Sequence, residues 1–407
     1  MSSQRLSRIP IVAGVVLALL IGAGAGAGAE QPPGFAPWLE EVRAETLGSG
    51  LASSAVDEAL GSVVYLDRVI ELDRRQPELT QTFWRYLDSR VNDDRIARGQ
   101  TYLAAYHSLL DEVYRQYGVP PRILVALWGM ESDYGRIQGD FPVVSAVATL
   151  AYDARRSAFF RQQLFAVLDL IERGDVPPDL RGSWAGAIGQ PQFIPTTFSN
   201  FAVDFDGDGY RDLRGSIPDV LASAARYLSA SGWKPDAGWG QEVWLPGGFD
   251  YLETGLEVEK PVDDWRRLGV RQTDGSELPS SELYATVLLP AGASGPAFLV
   301  YRNFRAILKW NNSVLYALAV GYLSDRLAGG GPLVAERPVQ EVPLSRWDVV
   351  EMQSRLASLG FEPGEPDGVV GERTRRAIRL FQKSVALPPD GYPDPGLLQQ
   401  LRGQVMQ

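Results

Sequence analysis

The stretch Pro120-Pro-Arg-Ile-Leu-Val-Ala-Leu-Trp-Gly-Met-Glu-Ser-Asp-Tyr-Gly135 decides the architecture. Leu124, Leu127, Trp128 and Glu131 recur at i, i+3, i+4 and i+7, the stripe of a helix that turns one face to a core. Pro120-Pro121 opens that helix and Gly135 closes it. A carboxylate on such a face loses hydration, which disfavours its charged form and raises its pKa towards the range of a general acid. The same pattern suits a structural Glu131 neutralised by Arg122 or Arg136, and spacing alone leaves both readings open.

Composition narrows the chemistry around this acid. The chain has 407 residues and 45% hydrophobic content, room for two or more domains with sizeable cores. It has no cysteine, and His107 is the only histidine. Thiol nucleophiles, disulfide frameworks and zinc clusters built from Cys and His are therefore excluded. A net charge of −11, from 39 Lys and Arg against 50 Asp and Glu, argues against a nucleic-acid partner, which needs a basic footprint. Carboxylates, hydroxyls and aromatics suit a neutral polymer such as a glycan. Residues 1–29 read as an export signal, with Arg5 and Arg8 before the apolar run Ile9 to Ile21 and Ala27-Gly28-Ala29 as the cleavage site. The expected location is the periplasm; an uncleaved anchor is the alternative. A lipoprotein is ruled out because no cysteine follows the run.

The expected fold class is mainly α, with a small β region (α+β). Helical spacing fills Trp38 to about Leu170, in the segments Val56 to Leu72, Gln100 to Tyr117, Arg122 to Tyr134 and Ala158 to Ile171. Between Gly174 and Asn200 the chain becomes polar and rich in Gly and Pro, a loop suited to ligand contact. After a helix over 217–232, short strands are expected at Glu242 to Leu245, Ala285 to Leu289 and Ala297 to Tyr301. A helix from about Ser313 to Leu327 precedes a linker, 329–343.

The last segment, 344–401, carries Val349-x-x-x-Gln353-x-x-Leu356-x-x-Leu359-Gly360, then Asp367-Gly368-x-x-Gly371-x-x-Thr374-x-x-Ala377, Phe381-Gln382, Leu387 and Asp390-Gly391. It resembles the three-helix peptidoglycan-binding domain found at the ends of many bacterial cell-wall enzymes. Further upstream stand Trp-Gly-Met-Glu131-Ser-Asp-Tyr-Gly, the loop Ser183-Trp-Ala-Gly-Ala-x-Gly-Gln-Pro-Gln192-Phe-x-Pro and an acidic run from Asp204. On these separated motifs residues 35–328 resemble the lytic transglycosylase B family. The resemblance implies a lysozyme-like helical catalytic domain. Its implied reaction cleaves the β-1,4 bond between N-acetylmuramic acid and N-acetylglucosamine without water, leaving a 1,6-anhydro end.

The residues make this chemistry coherent. A two-carboxylate glycosidase needs a second carboxyl at roughly 5 Å for retention or roughly 6.5–9.5 Å for inversion. Asp133 is the nearest acid in sequence, but two residues along a helix turn it about 200° away from Glu131. A lone acid can protonate the leaving oxygen and then, as carboxylate, take the proton of the sugar's own 6-hydroxyl. Residue by residue, the resemblance implies sugar contacts at Ser183, Gln192, Tyr86, Tyr227, Trp310 and Tyr316. Trp310 departs from the tyrosine usual there, and Phe159 lacks the hydroxyl common at its place. Taken singly, each aromatic suits a core as well as a ligand.

The run Asp204-Phe-Asp206-Gly-Asp208-Gly209-Tyr210 has the start of an EF-hand loop, with oxygens at its first, third and fifth positions, glycine at the sixth and a carbonyl at the seventh. Calcium is the expected ion, in a structural role. The twelfth position is Gly215, so the usual closing Glu is absent; the resemblance implies that Asp219 closes the site. A solvated Asp-Gly turn is the bland alternative. The expected partners are peptidoglycan strands and other cell-wall enzymes, for a monomer. A muramidase-type hydrolase and a non-catalytic wall-binding scaffold are the competing functions.

Overall fold

Apolar residues at helical spacing dominate the first half of the chain. In the computed structural model, which describes residues 31–74, 81–235, 237–339 and 341–404, they form helices. The expected export signal at 1–29 lies outside the described residues. Among those residues no helix is long and apolar enough to cross a membrane. The chain divides into two units: one takes 31–74 and 94–231, the other 81–93 and 232–404.

The first unit is helical. It holds α1 (Phe35–Gly48), α2 (Ser54–Gly61), α3 (Asp67–Arg74), nearly all of α5 (Asp93–Ala105), α6 (His107–Tyr117), α7 (Pro121–Ser132), α8 (Val143–Tyr152), α9 (Ser157–Glu172), α10 (Pro195–Phe201) and α11 (Ile217–Ala230). Two expected helices are each broken in two. Between α2 and α3 the chain leaves the helix after Gly61, and the Val64 and Leu66 N–H groups donate to the Ser145 and Thr149 hydroxyls on α8, at 3.2 and 3.1 Å. Those side chains satisfy a backbone that helix would otherwise have to pair. Between α5 and α6, Tyr106 leaves helical geometry, and Tyr102 and Tyr106 both pack on the Trp128 ring, centroids 4.8 and 6.1 Å away. The stripe expected on α7 is a full cylinder: every residue from Ile123 to Ser132 is buried. A helix apolar on nearly all sides belongs inside.

The second unit carries α4 (Phe83–Arg90) and an antiparallel sheet of order β4-β6-β7-β3-β5. Its longer strands, β3 (Gly240–Trp244), β6 (Tyr284–Leu288) and β7 (Ala297–Tyr301), overlap the three expected strand segments, with β3 beginning two residues early. β4 (Lys260–Pro261) and β5 (Arg271–Gln272) are too short to show any alternation. The helix α12 (Val262–Arg267) seals the sheet with Trp265, fully buried, whose indole N–H donates to the Ala285 carbonyl at 3.0 Å. Helices α13 (Arg302–Trp310) and α14 (Val314–Leu327) follow.

Three helices, α15 (Arg346–Ser358), α16 (Glu372–Ser384) and α17 (Pro395–Arg402), close around Met352, Leu356, Ile378, Phe381 and Leu398, and Leu359 packs on them from just past α15. One clamp is built twice. Gln353 donates to Asp367 at 3.0 Å and accepts from the Gly368 N–H at 2.9 Å; Gln382 does the same with Asp390 at 2.7 Å and Gly391 at 2.9 Å. Among its described residues the expected linker has neither helix nor strand, yet it is held down. Glu242 accepts from the Val334 and Ala335 N–H groups at 2.8 and 2.9 Å, and Arg337 pairs with Asp88 while lying over Trp84. The helical module also touches the sheet unit, where the Ala293 N–H donates to Asp390 at 2.7 Å.

Candidate active site

Glu131 sits in the last turn of α7, with only 9% of its surface exposed, on a helix whose neighbouring residues are all buried. The next acid, Asp133, is not on the helix. It caps the C-terminus at φ 53, in the left-handed region, and its carboxylate is held by Arg98 at 2.8 Å and by Arg95 and Arg136 at 3.3 Å. Burial would raise the Asp133 pKa, but the hydrogen bonds and charges of Arg98 and Arg95 outweigh it and hold the group below its ordinary value. Asp133 is thus a committed anion. Arg136, one of the two arginines able to neutralise Glu131, is engaged there.

The chain leaving α7 is stitched to the polar loop. Gly139, at φ +86, lies so close to the Gly182 carbonyl and the Ser183 nitrogen that a Cβ would come within 2.2 and 2.5 Å of them. Next, β1 (Phe141–Pro142) pairs with β2 (Arg181–Gly182). Ser183 is buried, and its hydroxyl accepts from the Ala187 and Ala185 N–H groups at 2.9 and 3.3 Å, so it shapes the loop. Gln192 adopts φ 52, with its amide donating to the Gly189 carbonyl at 2.8 Å and the Gln138 carbonyl at 3.2 Å. Tyr227, on α11, packs on Phe193 of the same loop at 5.9 Å, and burial raises its phenol pKa.

Gln190 went unsingled in the sequence. Its Oε1 accepts from the Trp128 indole N–H at 2.7 Å, one turn before Glu131, and its Nε2 donates to the Arg214 carbonyl at 2.9 Å. Its backbone N–H donates to the Leu213 carbonyl at 2.7 Å. A contact spanning 62 residues leaves no local signature. The one clue was a glutamine amid the glycines and prolines of a loop.

The remaining sugar-contact candidates lie in the second unit. Tyr86 on α4 and Tyr316 on α14 are buried at 2% and 3% exposure; Trp310, at the end of α13, is half-buried. Phe159 stays in the first unit, edge-on to Phe160.

The acidic run forms the loop ahead of α11. Carboxylate oxygens of Asp204, Asp206 and Asp219 all lie within 4.8 Å of one another. Asp219 is fully buried and accepts from the Phe205 and Asp212 N–H groups at 2.7 and 2.8 Å; burial, and further down the Asp206 charge, raise its pKa. Asp208 is not among the three, and accepts from the Tyr210 N–H at 2.8 Å. Three converging anions, one of them fully buried, fit a hard divalent cation, which takes oxygen ligands and removes their mutual repulsion.

Compared with known proteins, residues 34–325 match the transglycosylase SLT domain family, and residues 345–401 match a peptidoglycan binding domain family. The chain belongs to the transglycosylase SLT domain family. This transglycosylase is 30% identical over 291 residues to the membrane-bound lytic murein transglycosylase B of Escherichia coli (strain K12), covering 69% of this chain and 79% of the relative. Its fold matches SltB3 from Pseudomonas aeruginosa in complex with NAG-anhNAM-pentapeptide, at a TM-score of 0.88 and 48% identity, covering 90% of this chain and 99% of that one. It also matches the Escherichia coli lytic transglycosylase Slt35 in complex with calcium, at a TM-score of 0.61 and 27% identity, covering 73% and 93%.

Proposed function

We propose that this transglycosylase cleaves the β-1,4 bond between N-acetylmuramic acid and N-acetylglucosamine in peptidoglycan, with Glu131 as its only acid and base. The observation that carries the mechanism is the contrast between two neighbouring carboxyls. Glu131 is nearly buried, while Asp133, the nearest acid in sequence, is bound by three arginines. Glu131 gives its proton to the glycosidic oxygen as the bond from the anomeric carbon breaks. The carboxylate left behind takes the proton of the muramoyl 6-hydroxyl as that oxygen bonds to the same carbon. Atoms balance without water, and Glu131 ends protonated for the next turnover.

Ser183, Gln192 and Tyr227 in the first unit are proposed sugar contacts beside the polar loop; Tyr86, Trp310 and Tyr316 are proposed sugar contacts within the second unit. Calcium at Asp204, Asp206 and Asp219, with Asp208 and the Tyr210 carbonyl as further oxygens, would brace the loop; it takes no part in proton transfer. The module at 344–401 holds the enzyme on the wall, in the periplasm.

Digesting purified peptidoglycan and weighing the soluble products tests the reaction. The expected muropeptides are lighter by one water than hydrolysed ones; products of hydrolysed mass would assign a muramidase instead. Glu131→Gln should lower kcat by on the order of 10²–10⁴-fold, the usual contribution of a general acid. Unchanged digestion by that variant would sink the assignment of the acid.

A further inference from the structure

The helix α16 has two faces of opposite character. Thr374, Ala377, Ile378, Phe381 and Gln382 are buried. At about 100° per residue, Arg375, Arg379, Lys383, Arg376 and Arg373 follow one another around the opposite side, over an arc of about 160°. Arg373, Arg376 and Lys383 are exposed; Arg375 and Arg379 lie at the inner edge of the face, the Arg379 side chain only 12% exposed. Glu372 is the only acid on the helix, and it pairs with Arg379 at 3.2 Å. Among the described residues no carboxylate lies within 4.0 Å of Arg373, Arg375, Arg376 or Lys383.

This arrangement works against the helix. Arg373 sits in the first turn, at the positive end of the dipole. The pairs 373/376, 376/379, 375/379 and 379/383 are like charges at helical neighbour spacing, each of which weakens a helix. It also stands out in a chain of net charge −11. Concentrated cations on one face, with Arg373, Arg376 and Lys383 exposed and not paired with a carboxylate among the described residues, are complementary to an anionic partner.

We propose that this face of α16 grips the carboxylates of peptidoglycan stem peptides. The proposal rests on the wall-binding reading above and adds which part of the wall is held. The glycan offers neutral hydroxyl and N-acetyl groups, whereas each stem peptide carries carboxylates, at its C-terminus and on acidic side chains. The exposed Arg373 and Arg376 guanidinium groups match those carboxylates geometrically, since each can donate two parallel N–H bonds, and Lys383 adds a third positive charge.

The test uses the full chain carrying Glu131→Gln, so that the wall survives, pelleted with insoluble peptidoglycan. A triple variant, Arg373→Gln, Arg376→Gln and Lys383→Gln, should bind about tenfold more weakly, from three exposed ion pairs. The salt sensitivity of binding should fall with it. On glycan stripped of its peptides by an amidase, parent and variant should bind alike. Free stem pentapeptide should compete with the wall for the parent, and the same peptide with its carboxylates amidated should not. Equal binding of parent and variant to intact wall would overturn the proposal. So would an equal loss on stripped glycan, which would give the face to sugar, or competition by the amidated peptide. A parent that pelleted with neither wall would instead refute wall binding itself. The competition arm needs no variant, so it stands even if the triple substitution unfolds the module.

Discussion

Two residues beyond Glu131, Asp133 shows how a carboxylate is taken out of play. Its folded pKa lies below the ordinary 3.8, so its contribution to stability is complete above that value and drains away as pH falls through the lower, folded one. Replacing Asp133 with Asn leaves Arg95 and Arg98 without their shared anion. Loss of one partner of a largely buried pair costs about 3 kcal/mol. We expect a lower thermal midpoint at pH 7 and a flatter decline below about pH 4, read by melting scans across pH. Gln190 acts on geometry instead. Gln190→Leu removes the hydrogen bonds to Trp128 and Arg214, worth about 1–2 kcal/mol once a buried donor is stranded. If Gln190 positions the acid, kcat should fall several-fold while KM changes little; a change in KM alone would mean that it only lines the sugar path.

At the scale of elements, the acidic loop and the polar loop share a seam. Gln190 reaches the Leu213 and Arg214 carbonyls, and the Arg214 guanidinium donates to the Arg181 carbonyl at the start of the polar loop. A cation held by Asp204, Asp206 and Asp219, as proposed, would therefore fix one side of that seam. A ligand bound only by the folded state stabilises by about 2.7 kcal/mol at a hundredfold excess over its Kd. Chelation should lower the thermal midpoint, calcium should restore it, and Asp219→Ala should abolish the response. A midpoint indifferent to chelator would refute the site.

At the scale of the molecule, the helical module is bound to the sheet unit as well as tethered to it. The Glu242 and Arg337 contacts pin the connecting segment, and Asp390 reaches Ala293. Deleting residues 342–407 should abolish pelleting with insoluble wall while leaving cleavage of soluble fragments in place. Loss of these contacts should also lower the melting temperature of the remainder. Loss of soluble-fragment cleavage in that truncation would show that the module serves the chemistry as well as anchoring.

Helical class, the three longer strands, the first two helices of the C-terminal module and Glu131 as the acid to test were all legible in the residues, because periodicity and turn chemistry are local; the module's third helix came from its resemblance to a known domain. Local pattern put Asp204, Asp206 and Asp208 forward and the family resemblance added Asp219; the fold brings oxygens of Asp204, Asp206 and Asp219 together, without Asp208. What periodicity could not decide was where Val56 to Leu72 and Gln100 to Tyr117 break, since those breaks answer to Ser145, Thr149 and Trp128 on other helices. Nor could it show that α7 is enclosed on every side, that Arg95 and Arg98 bind Asp133, or that Gln190 ties Trp128 to the acidic loop. Each depends on side chains meeting across tens of residues. Such meetings are set by packing in three dimensions, and no window of sequence contains both partners.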